Sequence, residues 1–142
     1  MKRVYLIGSL RNPRVPELGR SMRRAGLEVF DDWHAAGPEA DDHWQGYEQA
    51  KGHNFIQALK GAAAQHVFAF DRENLDASDA AVLVLPAGKS GHLELGYMAG
   101  KGKKTYILID GEPDRFDVMY NFATGVFLQP NFLIDELKRA LT

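Results

Sequence analysis

Short apolar runs punctuate the chain, separated by longer stretches in which apolar positions recur every three or four residues. Val4–Gly8, Leu27–Phe30, Ala80–Leu85, Thr105–Ile109 and Gly125–Leu128 read as strands. Ala80-Ala-Val-Leu-Val-Leu85 contains no polar residue, the pattern of a parallel strand covered on both faces. Between these runs the spacing predicts helices over Pro16–Ala25, Gly61–Ser78, His92–Gly100 and Asn131–Leu141, with a short one over Val118–Phe122. Gly26 stands where a helix C-terminal glycine belongs. Phe132, Ile134, Leu137 and Leu141 give the last helix one apolar face. Strands alternating with helices predict a doubly wound, flavodoxin- or Rossmann-like α/β fold. Its sheet has five, mainly parallel strands, and residues 1–142 form a single domain.

The segment from about residue 35 to 60 departs from that rhythm. It is rich in Gly, Asp, His and aromatic residues, and Asp41 or Asp42 is placed to cap a helix starting near Trp44. His43, Trp44 and Tyr47 would share a face of it. An insertion of this length between two strands is expected to be a lid, a specificity element or a surface that meets a partner.

Composition narrows the classes. A chain of 142 residues that is 45% hydrophobic can bury one core. No stretch approaches the ~18 apolar residues of a membrane span. Met1-Lys-Arg leads straight into the first strand, so no signal peptide is expected. Cysteine is absent, which removes disulfides, thiol catalysis and Cys-based zinc sites and fits a cytoplasmic location. A net charge of −2 offers no broad basic field for nucleic acid. A small-molecule partner is the expectation. His34, His43 and His53 lack metal-motif spacing, and neither a metal nor a cofactor is expected.

Right-handed crossovers would bring the carboxyl ends of the first and third strands together, where α/β sheets bind ligands. After the third strand, Pro86-Ala-Gly-Lys-Ser-Gly-His-Leu-Glu94 reads as a turn made by Gly88, Ser90 and Gly91, followed by a helix with Glu94 in its first turn. The helix N-terminus would keep Glu94 ionised, as a nucleophile, base or hydroxyl-binding group; alternatively it only favours the helix start. After the first strand, Gly8-Ser9-Leu-Arg11 matches neither a dinucleotide fingerprint nor a Walker loop. Gly8 permits close backbone approach, and Ser9 and Arg11 suit a phosphate, a 5′-hydroxyl or a carboxylate. An ordinary turn with a solvent-facing arginine is the other reading. Trp33, beyond the second strand, either stacks on a ligand or fills the core rim. Asp71, between Phe70 and Leu75, is a candidate to face inwards; Asp76 and Asp79 fit capping roles. Lys101, Lys103 and Lys104 most simply cap the C-terminus of the Glu94 helix and solvate the turn after it.

These residues taken in order resemble the nucleoside 2-deoxyribosyltransferase superfamily, which includes the nucleoside 5′-monophosphate N-glycosidases. The resemblance covers most of the chain outside residues 35–60. It rests on Tyr5-Leu-Ile-Gly-Ser-Leu-Arg11, on Asp71 with Leu75–Leu85, on Gly91-His-Leu-Glu-Leu-Gly96 with the Gly102-Lys-Lys-Thr turn, and on Met119-Tyr-Asn121. It implies covalent catalysis at an anomeric carbon, with Glu94 as nucleophile and Asp71 as the acid beside the leaving base. Two carboxylates divide such roles when their surroundings separate their pKa values, and Glu94 is expected to be the ionised one. Either Tyr5 or Tyr97 would orient Glu94. Ser9 and Arg11 look like the N-glycosidases' 5′-phosphate turn, and Ser90, beside Gly88, is a further phosphate contact. Asn121 looks like the transferases' asparagine, which reaches the sugar 5′-hydroxyl from a neighbouring subunit. A homodimer or larger homo-oligomer is therefore implied, without nucleic acid or membrane.

Two other readings stay open at this stage. One is a nucleotide- or NAD-binding sensing module, related in architecture to TIR domains. The other is a flavodoxin-like binding domain without chemistry. Receiver chemistry is unsupported, because the first strand ends in Gly8-Ser9 and the third in Pro86-Ala87 where acidic residues would be needed.

Overall fold

The computed structural model describes residues 2–142. Its strands are β1 (Arg3–Ile7), β2 (Glu28–Phe30), β3 (Ala80–Val84), β4 (Lys104–Leu108) and β5 (Gly125–Phe127). They form one sheet in the order β2-β1-β3-β4-β5, with every pair parallel. This is the flavodoxin-like order, in which the chain reverses direction between β1 and β3.

The strands alternate sides residue by residue, as a pleat requires. Val4, Leu6, Val82, Val84, Tyr106 and Leu108 pack with α1 (Arg14–Arg24) and α6 (Pro130–Ala140). Tyr5, Ile7, Ala81, Leu83 and Ile107 face the other layer, with Leu75 of α4 (Ala62–Asp76) and Leu95 and Met98 of α5 (Lys89–Gly100). All five residues of β3 are buried, as expected for the central strand. Each large aliphatic side chain so covered contributes about 1.5–3 kcal/mol relative to exposure. Lys103 donates from Nζ to the carbonyls of Leu75, Asp76 and Ser78, at 3.1, 2.6 and 2.7 Å, and so caps α4 rather than the Glu94 helix that the sequence suggested.

Several boundaries differ from the sequence reading. Helix α5 begins at Lys89, not His92, with Gly88 as its N-cap in an extended conformation. Gly91 is therefore not a turn glycine. It is buried inside the helix, where a Cβ would stand 2.9 Å from Leu83 Cδ1 and 3.3 Å from Ile7 Cγ2. The missing side chain lets α5 lie flat on β1 and β3. Helix α2 (Ala40–Ala50) starts ahead of Trp44, with Glu39 as N-cap; Asp41 and Asp42 sit in its first turn rather than capping it. There they still favour the helix dipole. Helix α3 (Phe55–Leu59) has no counterpart in the apolar spacing of the sequence. A capping box starts it: Asn54 Oδ1 accepts from the Gln57 N–H and Gln57 Oε1 from the Asn54 N–H, both at 2.9 Å.

Candidate active site

Glu94 and Asp71 come together between α5 and α4, on the face of the sheet that Tyr5 enters from β1. Both carboxylates are half-buried. Burial pushes the Asp71 carboxyl up to about 6. Burial first, and the nearby charge of Asp71 second, push Glu94 up to about 7; the neighbouring Tyr5 hydroxyl pulls the other way. The phenol of Tyr5 is raised far out of range by its own burial and by both acids, so it stays a neutral donor. Asp71 Oδ1 is buried without a protein partner among the described residues. It is free to meet a proton-bearing atom of a ligand.

This electrostatic picture corrects the expectation that the helix N-terminus keeps Glu94 ionised. Glu94 lies in the second turn of α5, because the helix starts three residues earlier than the sequence suggested. The N-terminal field fades within the first turn. Burial and a like charge then dominate, and Asp71 becomes the more acidic of the two. Of the two candidate tyrosines, Tyr5 is the one beside Glu94. The Tyr97 hydroxyl instead donates to Asp76 at 2.6 Å, in a cluster with Lys101.

The loops after β1 and β3 are tied to each other at the carboxyl edge. Asn12, buried, donates from Nδ2 towards the carbonyls of Val84 and Pro86 at 3.5 and 3.4 Å. Arg14 donates to the Leu85 carbonyl at 3.1 Å. Ser9 Oγ accepts from the Arg11 N–H at 3.1 Å, and the exposed Arg11 guanidinium meets Asp42 of α2 at 2.8 Å. Gly8 serves packing: a Cβ there would fall 2.8 Å from Val15 Cγ2 and 3.3 Å from the Val84 carbonyl. Gly88 has open space around it, and Ser90 is exposed in the first turn of α5.

Two expected contacts are occupied locally. Trp33 donates from Nε1 to the Leu6 carbonyl at 2.7 Å and packs against both apolar layers, so its ring seals the sheet edge. Asn121 donates to the Val118 carbonyl at 3.0 Å within its own 3₁₀ turn, Val118–Phe122. A link the sequence did not suggest joins that turn to α5. His92 Nε2 lies 2.9 Å from the Tyr120 hydroxyl with the rings stacked, while Nδ1 lies 2.8 Å from the Gly88 carbonyl. Among the described residues no cluster of three or more His, Asp or Glu side chains is placed to hold a metal ion.

No protein-family model matches the chain, and no curated protein matches it either. Solved structures do. A conserved protein from Enterococcus faecalis V583 superposes with a TM-score of 0.65 at 15% identity, over 99% of both chains. The CMP N-glycosidase BcmB of Clostridium botulinum superposes with a TM-score of 0.57 at 14% identity, over 96% of this chain and 99% of its own. This chain is built on the fold of a nucleotide N-glycosidase. The architecture implied by the sequence resemblance is thus the one observed, end to end.

A coupled acid pair with a neutral phenol beside one member suits chemistry in which one carboxylate attacks and the other moves a proton. Among the described residues no helix is long and apolar enough to cross a membrane.

Proposed function

We propose that the protein cleaves or exchanges the N-glycosidic bond of a (deoxy)nucleoside or a nucleoside 5′-monophosphate. What supports this reading most is the acid pair: two carboxylates on neighbouring helices, raised to about 7 and about 6, with Tyr5 against the first. The shared fold with a CMP N-glycosidase points the same way.

The first step runs through the less populated of the two singly protonated forms, with the proton moved from Glu94 to Asp71: the Glu94 carboxylate attacks C1′. The C1′–N bond breaks, its electron pair leaves with the base, and Asp71 gives the base a proton. A glycosyl ester on Glu94 results. In the second step Asp71, now a carboxylate, takes a proton from water as the water oxygen bonds to C1′ and the ester bond breaks. A nitrogen of a second base in place of water gives an exchanged nucleoside. Tyr5 hydrogen-bonds to the Glu94 carboxylate and holds its orientation. No cofactor is needed for either step.

Ser9 and Arg11, with the backbone at Gly8, bind the sugar 5′ end; Gly88 and Ser90 close it from the facing loop, and Trp33 forms its floor. Asn121 reaches the site of a neighbouring copy in a homo-oligomer. That assembly is supported by α4, whose Val67, Phe68 and Phe70 are all exposed, although a helix so apolar is normally covered.

The test is to incubate the protein with a panel of nucleosides and 5′-monophosphates, with and without a free acceptor base, and to separate the products. Free base alone identifies a hydrolase and an exchanged nucleoside a transferase. No base released from any member of the panel sinks the reading.

A further inference from the structure

Helix α2 sits at the sheet's carboxyl edge with Trp44 half-buried and no fully buried apolar side chain. The side chain it buries is Glu48, 2% exposed, which accepts from His53 at 2.8 Å and pairs with Lys51 at 3.2 Å. Those contacts close the α2–α3 connection on itself. Among the described residues, the side-chain hydrogen bond that ties α2 to the rest of the fold is the one between Asp42 and Arg11, at 2.8 Å. The partner it takes is the arginine of the Ser9–Arg11 turn.

Around that turn the cations differ in their commitments. Arg14 is held by the Leu85 carbonyl and lies 3.8 Å from Asp110. Arg11 spends one guanidinium nitrogen on Asp42 and keeps the rest of its fork for solvent. A guanidinium fork binds a phosphate through two parallel hydrogen bonds, which a single-nitrogen contact to a carboxylate does not match. A 5′-phosphate reaching Arg11 therefore competes with Asp42 and is repelled by it. A 5′-hydroxyl does neither.

Resting on the proposed nucleoside or nucleotide substrate, we infer that Asp42 is a specificity residue: it masks Arg11 and so sets how strongly the 5′ end of the site attracts phosphate. Both side chains are about two-thirds exposed, 66% and 65%, so the masking is partial and weakened by salt. Residues 35–60, where Asp42 lies, are the part of the chain that departs from the resemblance, and this gives the segment a role in discriminating substrates.

The experiment uses ribose 5-phosphate and ribose as probes, titrated calorimetrically at low ionic strength against the wild type, Asp42→Asn, Arg11→Gln and the double variant. Asp42→Asn is expected to tighten ribose 5-phosphate binding by about three- to tenfold, as for removal of one exposed like charge, and to leave ribose unchanged. The gain is expected to vanish in the Arg11→Gln background and to shrink in ~0.5 M salt, where the Debye length falls to about 4 Å. No gain in Asp42→Asn, an equal gain for ribose, a gain that persists without Arg11, or no ribose 5-phosphate binding by any variant overturns the inference. Because these are binding readouts, they are separable from turnover. Masking without base release contradicts the N-glycosidic reading alone, and base release without masking contradicts this inference alone.

Discussion

Tyr5 and Glu94 meet across the junction of β1 and α5, and the contact has a definite electrostatic sign. The nearby phenol favours the charged carboxylate, against burial and Asp71, which both oppose it. Tyr5→Phe is therefore expected to raise the Glu94 pKa. Asp71→Asn removes a neighbouring negative charge and is expected to lower it. Carboxyl titration followed by NMR in the two variants should show shifts of opposite sign. Shifts of the same sign would mean that the three groups do not share one site.

The pair also dictates the pH dependence of turnover. The reaction needs one proton on the two carboxylates together, to be delivered to the base while the other carboxylate attacks. With ionisations near 6 and 7, the singly protonated pair is most abundant between those values. The kcat/KM profile is expected to be a bell centred between pH about 6 and 7. A profile flat from pH 4 to 9, about two units beyond either ionisation, would rule out this proton inventory.

Stability should follow the same groups. Both acids titrate higher in the folded chain than their ordinary values of 4.5 and 3.8, so the native state binds more protons through that window. Stability is then greatest below pH about 4, as far as these two groups go, falls as pH rises, and levels off above pH about 7. At pH 8, Glu94→Gln is expected to exceed the wild type by on the order of 2–3 kcal/mol, with the gap closing by pH 4. Urea unfolding at both pH values measures it. A variant less stable than the wild type at pH 8 would mean that Glu94 is not burdened by burial.

Gly91 offers a packing test. A methyl group there meets Leu83 and Ile7 at 2.9 and 3.3 Å, both in the closely packed layer under α5. Gly91→Ala is expected to cost about 1–3 kcal/mol and to lift Glu94 away from Tyr5. Gly96→Ala, on the same helix with open space around it, should be neutral or slightly stabilising. Thermal unfolding of the two variants compares them directly.

The exposed apolar face of α4 makes the proposed assembly testable. Phe68→Asp is expected to shift the sedimentation coefficient towards that of a monomer while leaving the circular dichroism unchanged. A wild type that sediments as a monomer at every concentration would remove the assembly from the account.

The strands, and the meeting of β1 with β3, were legible because each run is short, apolar and bounded by turn residues, and because parallel pairing hides both faces of β3. Glu94 and Asp71 were legible as candidates through resemblance. Their electrostatics were not, because Gly91 reads as a turn in one dimension and as a close-contact residue only once Leu83 and Ile7 lie beneath it. That single reading moved the helix start, and with it the expected charge on Glu94. Asn54 and Gln57 carry a local signal for α3, a capping box set in an otherwise irregular composition. The pairing of Arg11 with Asp42 and of His92 with Tyr120 joins residues 31 and 28 positions apart, and no local pattern announces such contacts.

The account turns on Glu94 as the group that bonds to the sugar. The most direct measurement is the rate of base release by Glu94→Gln, on whichever nucleoside or 5′-monophosphate the wild type turns over, with folding checked by circular dichroism. Loss of activity by about a thousandfold or more, as for removal of a nucleophile, is the predicted result. Base release at a rate close to that of the wild type would contradict it.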